Sequence, residues 1–307
     1  MFTLVIVSMF KNESMILEEW IQYYIDQGVE HFYLIDNGST DNYEEKINKY
    51  IDKITLIKDS FRVKPDTTNK LKMFDDEKKE YIFKDSSLHT QLILPNKYFL
   101  EKVKNESKWT MFIDCDEYIY SPKSKNIFCF LKNINENEKC DEITDIFIPW
   151  KIFGSSDLNK QPKSIINGFT KRMDINEYKK RTLEHGNIRG HGKSITQTKY
   201  LTLLNIHKCN FCKPRKTVMP DGSIVDNNDE NIMTKFIKNL NYNEHFIFCN
   251  HYMVMSKEYF FEHKTKRAAG CAQQGGNLSE SYWKKNNKND VIDMSLKNYM
   301  YKNNKSN

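Results

Sequence analysis

No stretch of this 307-residue chain stays apolar for long enough to span a bilayer. The most apolar opening, Met1 to Phe10, runs straight into Lys11-Asn12-Glu13, without a basic flank or a small-residue cleavage site. It therefore reads as a first buried strand, not as a leader or an anchor. Cysteine is scarce and unpatterned. The seven residues, at 115, 129, 140, 209, 212, 249 and 271, are odd in number and irregular in spacing, which excludes a disulfide framework and favours a reducing compartment. A block of one charge sign is also missing: the net charge of +6 is spread along the chain and offers little to a nucleic acid. There is no internal repeat and no clear linker. These absences leave a cytoplasmic globule of one large or two small domains as the expectation.

What is present is enough apolar surface for a core, 39% hydrophobic and 13% aromatic residues. Leu4–Val7 is strand-like. An amphipathic helix is predicted over Ser14–Gln27, capped by Ser14 and ended by Gly28, and His31–Ile35 is a second strand. Strand, helix and strand in that order predict a βαβ unit with a parallel pair, hence an α/β fold. A helix over Tyr43–Tyr50, a strand at Ile54–Ile57 and helical character from Ser86 to Asn105 extend the pattern. Residues 159–197 read as a basic, loop-rich region, Leu201–Ile206 and Phe246–Met255 as strands, and Ser256–Arg267 as a helix capped by Ser256.

The most informative stretch is Trp109 to Tyr120, W-T-M-F-I-D-C-D-E-Y-I-Y, where an apolar run ends in Asp114, Asp116 and Glu117. A buried strand that delivers acidic side chains at its carboxyl end points them into the crevice where open α/β sheets bind ligands. On extended backbone, D-x-D spacing aims both carboxylates the same way. Two such charges are poor neighbours unless a cation sits between them, and a divalent ion with a phosphorylated ligand satisfies that need. A surface turn rich in Asp is the plainer alternative.

Other candidates are less specific. Asp36, after the second strand, suits a hydrogen bond to a base or ribose equally well as a turn, while Asn37-Gly38-Ser39-Thr40-Asp41 reads as a turn and helix cap. Arg189, His191 and Lys193 in R-G-H-G-K-S suit a diphosphate clamp or a solvated loop. His207-x-Cys209-x2-Cys212 could be half of a zinc site completed by Cys249 and His251, although one C-x-x-C is a weak signal. Gly270-x4-Gly275-Gly276 reads as a flexible loop able to act as a lid.

Several runs in their order resemble one family: Ser8-x2-Lys11-Asn12-Glu13, Glu19-Trp20-Ile21, Gly28-Val29 and Ile35 to Asp41. They continue with Gln91, Trp109 to Tyr118, Trp150-x2-Phe153-Gly154-Ser155-Ser156, Asn250-His251-Tyr252, Ser256-Lys257-Glu258 and Lys264. Together they resemble inverting glycosyltransferases of GT-A fold, and most closely family 92 with its microbial and viral relatives. The chain departs at position 115, which is Cys in place of a small apolar residue, and at position 157, which is Asp where Gly is expected.

The resemblance implies a Rossmann-like, mostly parallel sheet flanked by helices. It implies a nucleotide-sugar half over 1–122, an acceptor half over 123–282 and a polar C-terminal tail over 283–307. Asp114, Asp116 and His251 would hold Mn²⁺ or Mg²⁺, although a strand His is as often a packed core residue. Ser8, Lys11, Asn12, Glu13, Asp36, Asp114 and Lys193 would contact the nucleotide-sugar. Asp157 and Glu184 are alternative general bases, and either is as well read as a surface charge. The expected activity is metal-dependent, inverting transfer of a hexose or N-acetylhexosamine from a UDP-sugar to a glycan, protein or lipid-linked acceptor, by a microbial or viral cytoplasmic enzyme. A catalytically silent glycan- or nucleotide-binding protein on the same scaffold and a nucleotidyltransferase are the alternatives.

Overall fold

A computed structural model describes residues 1–61, 71–75, 80–83, 90–136, 140–227, 229–266 and 278–305, so the Gly270–Gly276 loop lies outside the described residues. The chain opens with β1 (Phe2–Phe10), α1 (Leu17–Asp26), β2 (His31–Asp36), α2 (Tyr43–Ile47) and β3 (Ile54–Lys58), then a hairpin of β4 (Leu71–Asp75) and β5 (Glu80–Phe83). Next, α3 (Thr90–Glu106) leads into β6 (Ser107–Phe112), a turn, β7 (Glu117–Tyr120), α4 (Ile127–Asn135) and β8 (Asp145–Ile152). The middle of the chain holds α5 (Ile165–Gly168), β9 (Lys171–Arg172), α6 (Ile175–His185) and β10 (Gly192–Gln197). Short strands β11 (Leu201–Leu203), β12 (Asn210–Phe211), β13 (Lys216–Val218) and β14 (Ile224–Asp226) precede α7 (Glu230–Asn239) and β15 (Phe248–His251). A π-helical turn at Tyr259–Lys264, α8 (Glu280–Asn286), β16 (Val291–Ile292) and α9 (Ser295–Lys305) follow.

The central sheet has the order β14-β13-β8-β10-β6-β1-β2-β3, with β15 joining β7 to β8. From β3 to β6 it is parallel, and β10 enters antiparallel to both β6 and β8. This is the expected α/β class, a Rossmann-like parallel half continued by a mixed half. The chain leaves β1 toward β2 and β3 on one side and returns to β6 on the other, so a topological switch point lies between β1 and β6.

Alternation along β1 explains its burial. Leu4 and Ile6 enter one core cluster, while Val5 and Val7 enter a second on the opposite face of the sheet. The α1 helix covers the first face with Leu17, Trp20, Ile21 and Tyr24. Its start differs from expectation. Ser14 caps nothing; its amide donates to Asp41 Oδ2 at 2.8 Å, and the helix begins at Leu17 without a side-chain cap. Gly28 ends the helical segment as predicted, at φ +87°.

The region over 159–197 is not loop-rich: it holds α5, α6 and β10. The segment from 283, expected as a polar tail, buries Leu296 and Tyr299 in the main core. Asp293 there accepts Arg172 Nε at 2.7 Å and Lys151 Nζ at 3.2 Å. No described helix is long and apolar enough to cross a membrane.

Candidate active site

The acidic motif is a turn rather than a continuation of its strand. Strand β6 ends at Phe112, and the Glu117 amide reaches back to the Asp114 carbonyl at 3.2 Å. The period-two argument for parallel carboxylates therefore fails, since the turn redirects Asp114 and Asp116 individually. Helix α1 pins the far side of this turn. Trp20 Nε1 and the Tyr24 hydroxyl both donate to the Glu117 carbonyl, at 3.1 and 3.0 Å, and the Tyr23 hydroxyl donates to the Ile119 carbonyl at 2.6 Å. These large side chains bury their rings in the core and spend their polar atoms on β7.

Lys193 is shared by two of the three carboxylates, and Lys264 serves the third. Asp114 accepts Gln91 Nε2 at 2.7 Å and Lys193 Nζ at 3.1 Å, and its side chain is 34% exposed. Asp116 accepts Lys264 Nζ at 2.6 Å on Oδ2, while its Oδ1 lies 3.6 Å from His251 Nε2. Glu117 is fully buried: its Oε2 receives the Asp114 amide at 3.0 Å and Lys193 Nζ at 3.1 Å. Burial pushes the Glu117 carboxyl up, against the pull of Lys193. Burial would lower Lys193, but Asp114 and Glu117 outweigh it and hold the ammonium above the usual lysine range.

Register explains how His251 arrives. Strand β15 pairs antiparallel with β7, placing His251 opposite Glu117, and parallel with β8, placing it opposite Ile152. The Tyr252 amide donates to the Asp116 carbonyl at 2.9 Å. The His251 ring packs on Trp150 at 4.6 Å between centroids, with the His207 ring on the same indole at 5.6 Å. Burial lowers His251 to about 4, with Lys264 and Lys193 opposing the pull of Asp116, so its imidazole is neutral at pH 7 and able to donate a lone pair.

The other predicted residues separate into builders and outliers. Ser8 is buried beside the turn, Oγ 3.8 Å from Cys115 Sγ. Lys11 and Asn12 lie in the loop after β1, and Asn12 sits at φ +52°. Asn12 Oδ1 accepts the Thr40 amide at 2.7 Å, and its own amide donates to Ser39 Oγ at 2.9 Å. Asp36 accepts the Ser39 amide at 2.7 Å and the Tyr43 hydroxyl at 3.0 Å, so its carboxylate organises the loop that joins Asn12. Glu13 is buried and accepts the hydroxyl of Tyr259.

The R-G-H-G-K-S residues disperse. Arg189 is buried against Asp145 at 2.9 Å, together with Arg215. His191 packs beside Trp150 and Tyr178. Only Lys193 reaches the acidic turn. Glu184 lies on the exposed end of α6, 4.0 Å from Lys180. Asp157 is exposed too, but it belongs to the loop leaving β8, whose Phe153 amide donates to the His251 carbonyl at 2.9 Å. Ser156 and Asp157 both adopt left-handed backbone, at φ +51° and +61°, a geometry that suits the Gly that the resemblance leads one to expect at 157. Asn287 and Asn289 hold this loop by accepting the Ser155 and Ser156 amides at 2.7 and 2.9 Å. Sequence reasoning missed that contact, because amides in an Asn/Lys-rich stretch carry no distinguishing pattern.

Among the described residues no three His, Cys, Asp or Glu side chains gather closely enough to hold a metal ion by themselves. Cys209 is buried and bonds the Asn205 carbonyl, whereas Cys212 is exposed, so the zinc half-site is not assembled among these residues. The acidic turn suits a different kind of ion. Mg²⁺ and its like are held by one or two carboxylates and complete their shell with water and substrate phosphates. Asp116 and the neutral His251 converge, and Asp114 opens to solvent beside them, a donor set that fits an ion arriving with a diphosphate.

A family model for glycosyltransferase family 92 matches residues 2–303. Two plant proteins named for that family are similar, one from Ricinus communis at 24% identity over 173 residues and one from Oryza sativa subsp. japonica at 24% over 169 residues. These alignments cover 56% and 55% of this chain but only 27% and 24% of the relatives, so the matched region is about a quarter of their length. Two crystal structures of S. aureus TarS 1–349, the second in complex with UDP, overlap 64% of this chain and 47% of theirs at 17% and 15% identity. Their TM-scores of 0.31 and 0.30 are too low to bear on the fold or the site. Matched from its first strand to its last helix, the chain belongs to glycosyltransferase family 92.

Proposed function

We propose that this chain is a metal-dependent, inverting glycosyltransferase that moves a hexose or N-acetylhexosamine from a UDP-sugar to a glycan, protein or lipid-linked acceptor. The observation that carries the reading is the acidic turn beside the switch point between β1 and β6. There Asp114 is open to solvent, Asp116 faces neutral His251, and two lysines supply positive charge. Asp114, Asp116 and His251 would hold Mn²⁺ or Mg²⁺, which when bound supplies charge neutralisation to the departing diphosphate.

The remaining work falls to the chain's own residues. Lys193, fixed between Asp114 and Glu117, orients the turn. The loops carrying Ser8, Lys11, Asn12, Glu13 and Asp36 shape the nucleoside end, with Asp36 acting through Ser39 and Tyr43. Inversion is one in-line displacement: the acceptor hydroxyl attacks the anomeric carbon, the bond to the diphosphate breaks with its electrons, and a base takes the hydroxyl proton. Of the two candidates Asp157 is better placed, since its loop adjoins His251, and Glu184 is held out on α6.

The test is UDP release from a panel of UDP-sugars by the purified chain, with Mn²⁺ and with EDTA, beside Asp116→Ala. Mn²⁺-dependent release from one donor, lost in the variant, is the expected result. Failure of UDP to bind in the presence of Mn²⁺ refutes the reading.

A further inference from the structure

The two lysines at the acidic turn are held differently. Lys193 is fully buried and bridges two carboxylates, Asp114 and Glu117, at 3.1 Å each, from a strand in the middle of the sheet. Among the described residues Lys264 reaches one carboxylate, that of Asp116, at 2.6 Å, with the Met253 carbonyl as a further acceptor. It comes from the π-helical turn Tyr259–Lys264, not from the sheet. Such turns are rare and are frequent at functional sites. The same turn sends the Tyr259 hydroxyl to Glu13, in the loop after β1, so one short element contacts both that loop and Asp116.

An ammonium 2.6 Å from Asp116 occupies the carboxylate that a divalent ion would use. Two cations on one carboxylate repel, unless another anion arrives to share them. A diphosphate is such an anion.

Resting on the donor reading above, we propose that Lys264 is an exchangeable counter-ion. It neutralises Asp116 in the free protein, and it passes to a diphosphate oxygen when nucleotide and divalent ion bind together. No covalent bond changes. The Lys264–Asp116 pair gives way to a Lys264–phosphate pair, and Asp116 turns to the ion beside His251. The Met253 carbonyl keeps one ammonium proton bonded through the exchange, and Lys193, bound to two carboxylates, stays where it is. Metal alone then binds weakly, because it must displace a resident cation, and metal and UDP bind cooperatively.

The test is Mn²⁺ binding to the full chain by electron paramagnetic resonance, with and without UDP, for the wild type, Lys264→Gln and Lys264→Arg, with circular dichroism verifying each fold. In the wild type UDP should tighten Mn²⁺ about tenfold or more, the scale of one charge-assisted contact. In Lys264→Gln the free protein should bind Mn²⁺ about tenfold more tightly than the wild type, and the effect of UDP should largely vanish. Lys264→Arg, which keeps the charge, should retain weak Mn²⁺ binding and the UDP effect. The inference is overturned alone if the wild type binds UDP with Mn²⁺ but free Lys264→Gln binds Mn²⁺ no more tightly. It is also overturned alone if Lys264→Arg behaves as Gln does. If the wild type binds neither Mn²⁺ nor UDP, this inference and the donor reading both fall.

Discussion

Replacing Asp293 with Asn should loosen the C-terminal segment and with it the loop beside the candidate site. Asp293 is 8% exposed and accepts Arg172 and Lys151 on one oxygen and the Ser295 amide on the other. Removing one member of a buried ion pair leaves an uncompensated charge and costs ~3–5 kcal/mol. Lys151 keeps the Tyr120 hydroxyl at 2.9 Å and Ser295 Oγ at 3.0 Å, which puts the cost at the lower end. At roughly 2 cal/mol/K per residue, a chain of this length unfolds with an entropy near 0.6 kcal/mol/K, so ~3 kcal/mol lowers the melting temperature by about 5 °C. Burial would raise the Asp293 carboxyl, but Lys151 and Arg172 outweigh it and hold it well below the usual range. A depressed carboxylate stabilises above its unfolded value, 3.8, and loses that contribution as pH falls toward the folded value. Thermal melts of wild type and Asp293→Asn at pH 7 and in steps below pH 4 check both points. A difference under about 1 °C at pH 7, or one that fails to narrow in acid, would refute the reasoning.

The remaining predictions concern a partly buried histidine and a helix terminus. His207, burial-depressed to about 3, donates its Nδ1–H to the Gly192 carbonyl at 3.2 Å and stays neutral in the folded state. A base with a lowered folded pKa stabilises fully above its unfolded value near 6.5 and loses that contribution as pH falls. His207→Asn should therefore flatten acid destabilisation between pH 6 and 4 by about 1.4 kcal/mol per pH unit, measured by urea titrations; an unchanged slope would count against it. Gly28 sits at φ +87°, where an added Cβ would meet Phe128 Cβ at 2.4 Å. Gly28→Ala should cost about 2–4 kcal/mol in the same titrations, from backbone strain and overpacking together.

Local periodicity made the first half of the fold legible. In β1, Leu4 and Ile6 alternate with Val5 and Val7 between two cores, and α1 repeats its apolar face at Leu17, Trp20, Ile21 and Tyr24, so strand and helix declare themselves residue by residue. In α6 the same logic has less to read: Ile175, Tyr178, Thr182 and Leu183 keep helical spacing, but only Tyr178 and Thr182 are buried, among lysines and glutamates. The helix is held by tertiary contacts, such as the Tyr178 hydroxyl to the His191 carbonyl at 2.6 Å. The site divides along the same line. Asp114 and Asp116 stand out because three acidic groups after an apolar strand have few structural uses. The roles of Lys264 and Glu117 do not, since one lysine among several and a third carboxylate acquire their function only when β15, a π-helical turn and β10 converge on them. The residues that carry charge into a sheet edge are visible in the chain, whereas those that balance it are supplied by topology. Long-range neutralisation, in which Lys193 is 79 positions from Asp114 and Lys264 is 148 from Asp116, leaves no local spacing to detect.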